Sequence, residues 1–169
     1  MKKYIPMIVI SLIVAYCSLF LGVSLVTAGG ESELYITDGG GKLRLKQLNI
    51  SLNEKQTVRL VANVPEGKIL KAYNITILYD SNIVAFSKAP SSQVTPLSPK
   101  YFNADTPGLI TFNSFDIAGV KGNGVPLCDF IIAGKMPGYF KLTIAPNSFG
   151  ASATDTFIPL TDIIDVKVK

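Results

Sequence analysis

The chain of 169 residues contains no histidine and no tryptophan, and it has two cysteines. Without imidazole, Ser-His-Asp triads, histidine acid–base catalysis and the common zinc sites are excluded. The formal net charge is +4, of which Lys2 and Lys3 supply two, so the chain beyond residue 28 carries only +2. Its basic residues are scattered singly, with Lys42, Arg44 and Lys46 the one close cluster. A nucleic-acid protein needs a basic stripe or a reading motif, and neither is present. No nucleic-acid partner is expected.

There is one long hydrophobic run, from Ile5 to Val26, preceded by Lys2 and Lys3 and followed by Thr27-Ala28-Gly29-Gly30. Val26-Thr27-Ala28 fits signal-peptidase cleavage after Ala28, so residues 1–28 read as an export signal. The run is also about as long as a membrane-spanning helix, roughly 20 residues, which makes an uncleaved anchor the alternative. Either reading puts the remaining 141 residues outside the cytoplasm, secreted or at the cell surface, with membrane contact only through the N-terminal segment. Tyr16 before Cys17, and the apolar run continuing past it, argue against lipid attachment. Once the leader is removed, Cys128 is the only thiol, so no internal disulfide is expected. Its setting in Leu127-Cys128-Asp129-Phe130 is that of a small buried side chain.

Beyond the leader the chain shows no convincing helical period. Short runs rich in β-branched and aromatic residues alternate with Gly, Pro, Asn, Asp and Ser clusters. Val58, Leu60 and Ala62 oppose Thr57, Arg59 and Asn63, and Tyr73, Ile75, Ile77 and Tyr79 oppose Asn74, Thr76 and Leu78. Period two belongs to half-buried strands. Similar runs at 42–52, 83–87, 109–115, 127–133, 138–145 and 162–167 bring the expected total to about nine. With no helix to cover a sheet, two sheets must cover each other, which predicts an all-β, two-sheet sandwich. Leu43 and Leu45 are odd-numbered but Leu48, Ile50 and Leu52 are even-numbered, so a bulge or a passage between sheets is expected near Gln47. Asp38-Gly39-Gly40-Gly41 closes what reads as a flexible approach over residues 29–41, leaving 42–169 as the domain. Gly119, Gly122 and Gly124 read as a second flexible loop, and residues 88–107, with four prolines, as a long irregular one.

The segment Ala72-Tyr73-Asn74-Ile75-Thr76-Ile77-Leu78-Tyr79-Asp80, continuing into Ile83-Val84-Ala85-Phe86, resembles the cohesin strand that ends in Tyr-Asp before a short apolar strand. Gly108-Leu109-Ile110-Thr111-Phe112, then Gly122-Asn123-Gly124-Val125-Pro126-Leu127 leading to Phe130 and Ile132, then Gly134 and Gly138, are similar to the later half of the same module. The resemblance covers residues 42 to 168. It implies a jelly-roll sandwich of nine strands that docks a dockerin, a small calcium-stabilised helical pair, on one flat sheet face. The chain departs from the usual cohesin setting in showing a single module and no internal repeat.

On that resemblance, and as polar or isolated apolar groups opposite the core face, the candidate partner-binding residues are Asn74, Thr76, Thr111, Asn113, Asp129 and Ile131. The expected function is a non-catalytic, exported protein–protein interaction module with a dockerin or another extracellular protein as partner. Polysaccharide binding is the alternative, with Tyr101, Phe102, Tyr139 and Phe140 as the available rings and Phe140 assigned to the core. For an enzyme, Asp80, Asp105, Asp116 and Asp129 are the candidate acids, but no spacing pairs them. No metal site and no cofactor are expected, since no Asp-x-Asp calcium loop occurs.

Overall fold

Alternation of β-branched and aromatic residues with polar ones gives strands throughout a computed structural model that describes residues 31–90, 96–151 and 155–169. The segment read as export signal or anchor, with Cys17, lies outside the described residues. The strands are β1 (Glu33–Asp38), β2 (Gln47–Ile50), β3 (Lys55–Val64), β4 (Leu70–Leu78), β5 (Val84–Lys88), β6 (Tyr101–Asn103), β7 (Leu109–Val120), β8 (Gly122–Gly134), β9 (Gly138–Gly150), β10 (Leu160–Thr161) and β11 (Ile163–Val168). They form a five-stranded sheet ordered β10-β1-β3-β8-β5 and a six-stranded sheet ordered β2-β11-β9-β4-β7-β6. The two-sheet sandwich expected from the sequence is what forms, with no helix among the described residues.

The core lies between the sheets. Val58, Leu60, Ala62, Cys128, Phe130 and Ile132 face in from the five-stranded sheet, and Tyr73, Ile75, Ile77, Phe112, Leu142 and Val166 from the six-stranded one. Each large apolar side chain removed from water stabilises the fold by about 1.5–3 kcal/mol, so these parities hold both sheets in register. Tyr73 is buried with its hydroxyl donating to the Leu97 carbonyl at 2.7 Å, and its ring meets Phe112 edge-on. Leu97 itself is wholly buried, so the proline-rich connection contributes a plug to the core.

Three expectations are corrected in detail. The described part of the expected approach, residues 31–41, is not simply a linker: β1 lies between β10 and β3, with Tyr35 opposite Val61 and Ile36 opposite Leu60. Leu34 and Ile36 bury this short strand, and the glycines after it make a turn in which the Asp38 carboxylate accepts the Lys42 and Leu43 amides. The glycines at 119, 122 and 124 do not form a separate loop. They lie in the long strands β7 and β8, where the chain crosses between sheets, and all three have positive φ. Among the described residues there are eleven strands rather than about nine, because β1, the three-residue β6 and the two-residue β10 escape a pattern count. The parity change near Gln47 is a passage between sheets: Arg44 bridges Thr37 of the five-stranded sheet, and three residues later β2 runs beside β11 of the six-stranded one.

Candidate functional site

The two outer faces of the sandwich differ in kind. On the five-stranded sheet, Arg59 of β3 stands opposite Asp129 of β8 and grips its carboxylate with two hydrogen bonds of 2.7 and 2.9 Å. The Asp129 hydrogen bond raises the Arg59 pKa against the opposing effect of burial. Arg44 lies 4.5 Å over the Tyr35 ring, donates twice to Asp162 at 2.7 and 3.0 Å, and reaches Glu33 at 3.2 Å. Lys46 also donates to Asp162. Thr37, Val61 and Asp129 are each only 3% exposed. Arginines with paired acids therefore cover the middle of this face, while Leu160, Thr57, Ala85 and Ser87 around them are exposed.

The six-stranded sheet is open. Its outer face is built in register rows across the strands. Ile163 of β11, Thr143 of β9, Leu78 of β4 and Leu109 of β7 make an apolar row. The next row is Ala145, Thr76, Thr111 and Asn103, and the one after it Ser148, Asn74, Asn113 and Tyr101. Asn147 donates to Thr76 at 2.9 Å and to Asn74 at 3.4 Å, and Thr76 meets Thr111 hydroxyl to hydroxyl at 3.4 Å. Beyond them Phe115 lies opposite Ala72, 62% exposed, with the Lys100 ammonium 4.9 Å from its ring centroid. Ile117 is 88% exposed. This outer face therefore carries an apolar row, a polar middle and an apolar far end.

Of the six residues expected to bind a partner, Asn74, Thr76, Thr111 and Asn113 come together on this face. Asp129 and Ile131 do not join them, because β8 belongs to the opposite sheet and Asp129 is sealed under Arg59. Strand parity tells which side of its own sheet a residue faces but is silent on which sheet the strand joins. The pattern missed Leu78, Leu109, Phe115 and Ile163. Phe115 and Ile117 were readable, since both are odd-numbered in a strand whose core residues, Ile110 and Phe112, are even-numbered. Of the four available rings, Tyr101 and Tyr139 are exposed, while Phe102 and Phe140 pack against the core.

The acids do not assemble. Asp80 and Asp116 accept nearby backbone amides in tight turns, from Asn82 and from Ala118 and Gly119 respectively, and Asp129 is held by Arg59. Among the described residues no group of three or more His, Cys, Asp and Glu is placed to hold a metal ion. An open cleft of about 610 Å³ between the Pro65-Glu66-Gly67-Lys68 turn and the Lys121-Gly122-Asn123 crossing has a single acid in its lining. Burial, with the Asp129 charge adding to it, pushes the Cys128 thiol up to about 12, so this cysteine is an inert core side chain.

No protein-family model and no curated protein sequence matches the chain. Among solved structures, 33 chains match. The cohesin CaCohA2 of Clostridium acetobutylicum, solved in complex with a CaDoc0917 variant, has a TM-score of 0.62 at 14% identity, covering 82% of this chain and 99% of that one. The cohesin of the Coh-OlpA–Doc918 complex from Clostridium thermocellum has a TM-score of 0.60 at 14% identity over 83% of this chain and 100% of that one. A non-cellulosomal cohesin from the archaeon Archaeoglobus fulgidus has a TM-score of 0.57 at 10% identity, covering 81% and 91%. The fold is cohesin-like.

Proposed function

We propose that this cohesin-like sandwich is an exported, non-catalytic interaction module that docks a dockerin-type protein on the outer face of its six-stranded sheet. The observation that carries the reading is the contrast between the two outer faces. One carries the Arg59–Asp129 and Arg44–Asp162 ion pairs over its middle, and the other exposes Leu78, Phe115, Tyr101 and Ile163 around a row of Asn and Thr. Six strands of 3 to 13 residues, about 4.8 Å apart and rising about 3.3 Å per residue, present roughly 700 Å², close to the ~800 Å² that each partner contributes to a standard interface. Similar folds solved as complexes with dockerins support the same kind of partner. The hydrophobic leader supports export.

The test sorts a displayed panel of diverse dockerin modules on the full-length chain held in mild detergent, then measures each binder on two variants. Thr76→Arg puts a charge at the centre of the six-stranded sheet's open face, and Ile131→Arg does the same on the outer face of the five-stranded sheet. Binding is expected to weaken at least about a hundredfold with Thr76→Arg, which would leave an unmatched buried charge, and to persist with Ile131→Arg. The reverse pattern would move the docking face to the other sheet, and an absence of binders would remove the dockerin-type partner. Polysaccharide binding, favoured by the exposed Tyr101, Phe115 and Tyr139 rings, predicts retention on insoluble cellulose or xylan without any protein partner.

A further inference from the structure

The charges on the open face are one-sided. Lys100, Lys141 and Lys167 are exposed there, and none of the three has an ion-pair partner among the described residues. A carboxylate of the same face, Asp165, lies beside Lys141 in register and accepts a hydrogen bond from the Tyr139 hydroxyl. On the opposite face, in contrast, Arg59 and Arg44 are both matched by acids. A partner that covers unpaired lysines must replace their water with carboxylates, or the contact carries a desolvation penalty.

The lysines also have positions. Lys141 is two residues along β9 from Thr143, so it flanks the apolar row of Ile163, Leu78 and Leu109. Lys100 sits over Phe115 at the other end. From the level of Lys141 to that of Phe115 is eight residues along the strands, about 27 Å at the usual rise. A helix of about 18 residues has that length.

We propose that the partner of this face is an acidic protein surface, with carboxylates near both ends of an aliphatic contact and about one long helix apart. The inference rests on the docking-face reading above and deepens it by fixing the partner's charge.

The test uses a displayed two-helix library, randomised at surface positions and sorted on the full-length chain. A second sort uses the combined Lys100→Glu, Lys141→Glu and Lys167→Glu variant, with circular dichroism to confirm that it is folded. The milder Lys→Gln combination replaces it should the first fail to fold. Helices selected on the wild type are expected to be acidic, and their association rate to fall at least about tenfold between about 50 and 500 mM salt. The glutamate variant is expected to reject them and to select basic helices. Selection of neutral or basic helices on the wild type, or rates indifferent to salt, would overturn the acidic partner while leaving the docking face in place. If no binder is lost on Thr76→Arg, the docking face itself fails and the inference with it. Lysine-dependent retention on polygalacturonate would reassign the face to an anionic glycan and overturn a protein partner.

Discussion

Asp162 shows how much one side chain does in this sandwich. It stands between β10 and β11, where the chain passes from the five-stranded to the six-stranded sheet, and it accepts from both Arg44 and Lys46. The hydrogen bonds from Arg44 hold its carboxyl below the ordinary value of 3.8, against the opposing pull of burial. A carboxyl lowered in the folded state binds fewer protons folded than unfolded between the two pKa values. Its contribution is therefore complete above about pH 4 and is lost as the pH falls through the lowered value. Asp162→Asn is expected to cost about 1–2 kcal/mol in urea denaturation at neutral pH. The gap to the wild type should close on acidification. The same residue scale is where the sequence was least legible. Asp129 reads as an outward polar group by alternation, and it does face outward, but its guanidinium partner comes from another strand 70 positions away.

At the scale of the element, glycine sets where the long strands bend. Gly119 of β7 has a φ of +70°, and a Cβ there would fall 2.6 Å from the Ile69 side chain and 2.8 Å from the Leu70 carbonyl oxygen. Between Leu70 and Ala72 the register of β4 with β7 jumps from Val120 to Phe115, so residues 116–119 form the excursion that Gly119 closes. Gly122 also has a positive φ, +96°, but nothing lies within 4 Å of its missing Cβ. Gly122→Ala is therefore expected to cost only backbone strain, about 1 kcal/mol, and Gly119→Ala more than about 2 kcal/mol. Thermal denaturation of the two variants side by side checks the ranking. Glycines in this segment were evident in the sequence, but their meaning was not. A glycine cluster looks alike in a loop and in a strand that must bend, and only the neighbouring strand decides between them. The strands themselves were legible wherever period two ran for five or more residues, as in β3 and β4. The shift of parity near Gln47, read as either a bulge or a passage between sheets, is the passage.

The whole molecule is closed by its two ends. β1 pairs with β10 in one sheet and β2 with β11 in the other, both in parallel, so the N-terminal and C-terminal segments lock each other across the sandwich. Parallel pairs between chain ends involve the longest separations available, and a reading based on local alternation has no term for them. Local alternation is equally silent on which sheet a strand joins, which is why four of the six candidate residues, all on the adjacent strands β4 and β7, fell on one face, while the two on β8 did not. It is also why β1 looked like a linker: six residues with two buried aliphatics carry little pattern until β3 and β10 are placed on either side. A linker and a strand make opposite demands on the chain. If residues 29–41 served only as an approach, deleting them would leave a folded domain. Because Leu34 and Ile36 are buried and β1 bridges β10 to β3, the deletion removes two large core side chains and exposes the β3 edge. At about 2–5 kcal/mol for each lost core aliphatic, the expected loss rivals the 5–15 kcal/mol that separates a typical domain from its unfolded state. A chain lacking residues 29–41 should therefore show collapsed amide dispersion in its NMR spectrum and rapid digestion by proteases. A well-dispersed spectrum from that chain would return β1 to the status of a linker.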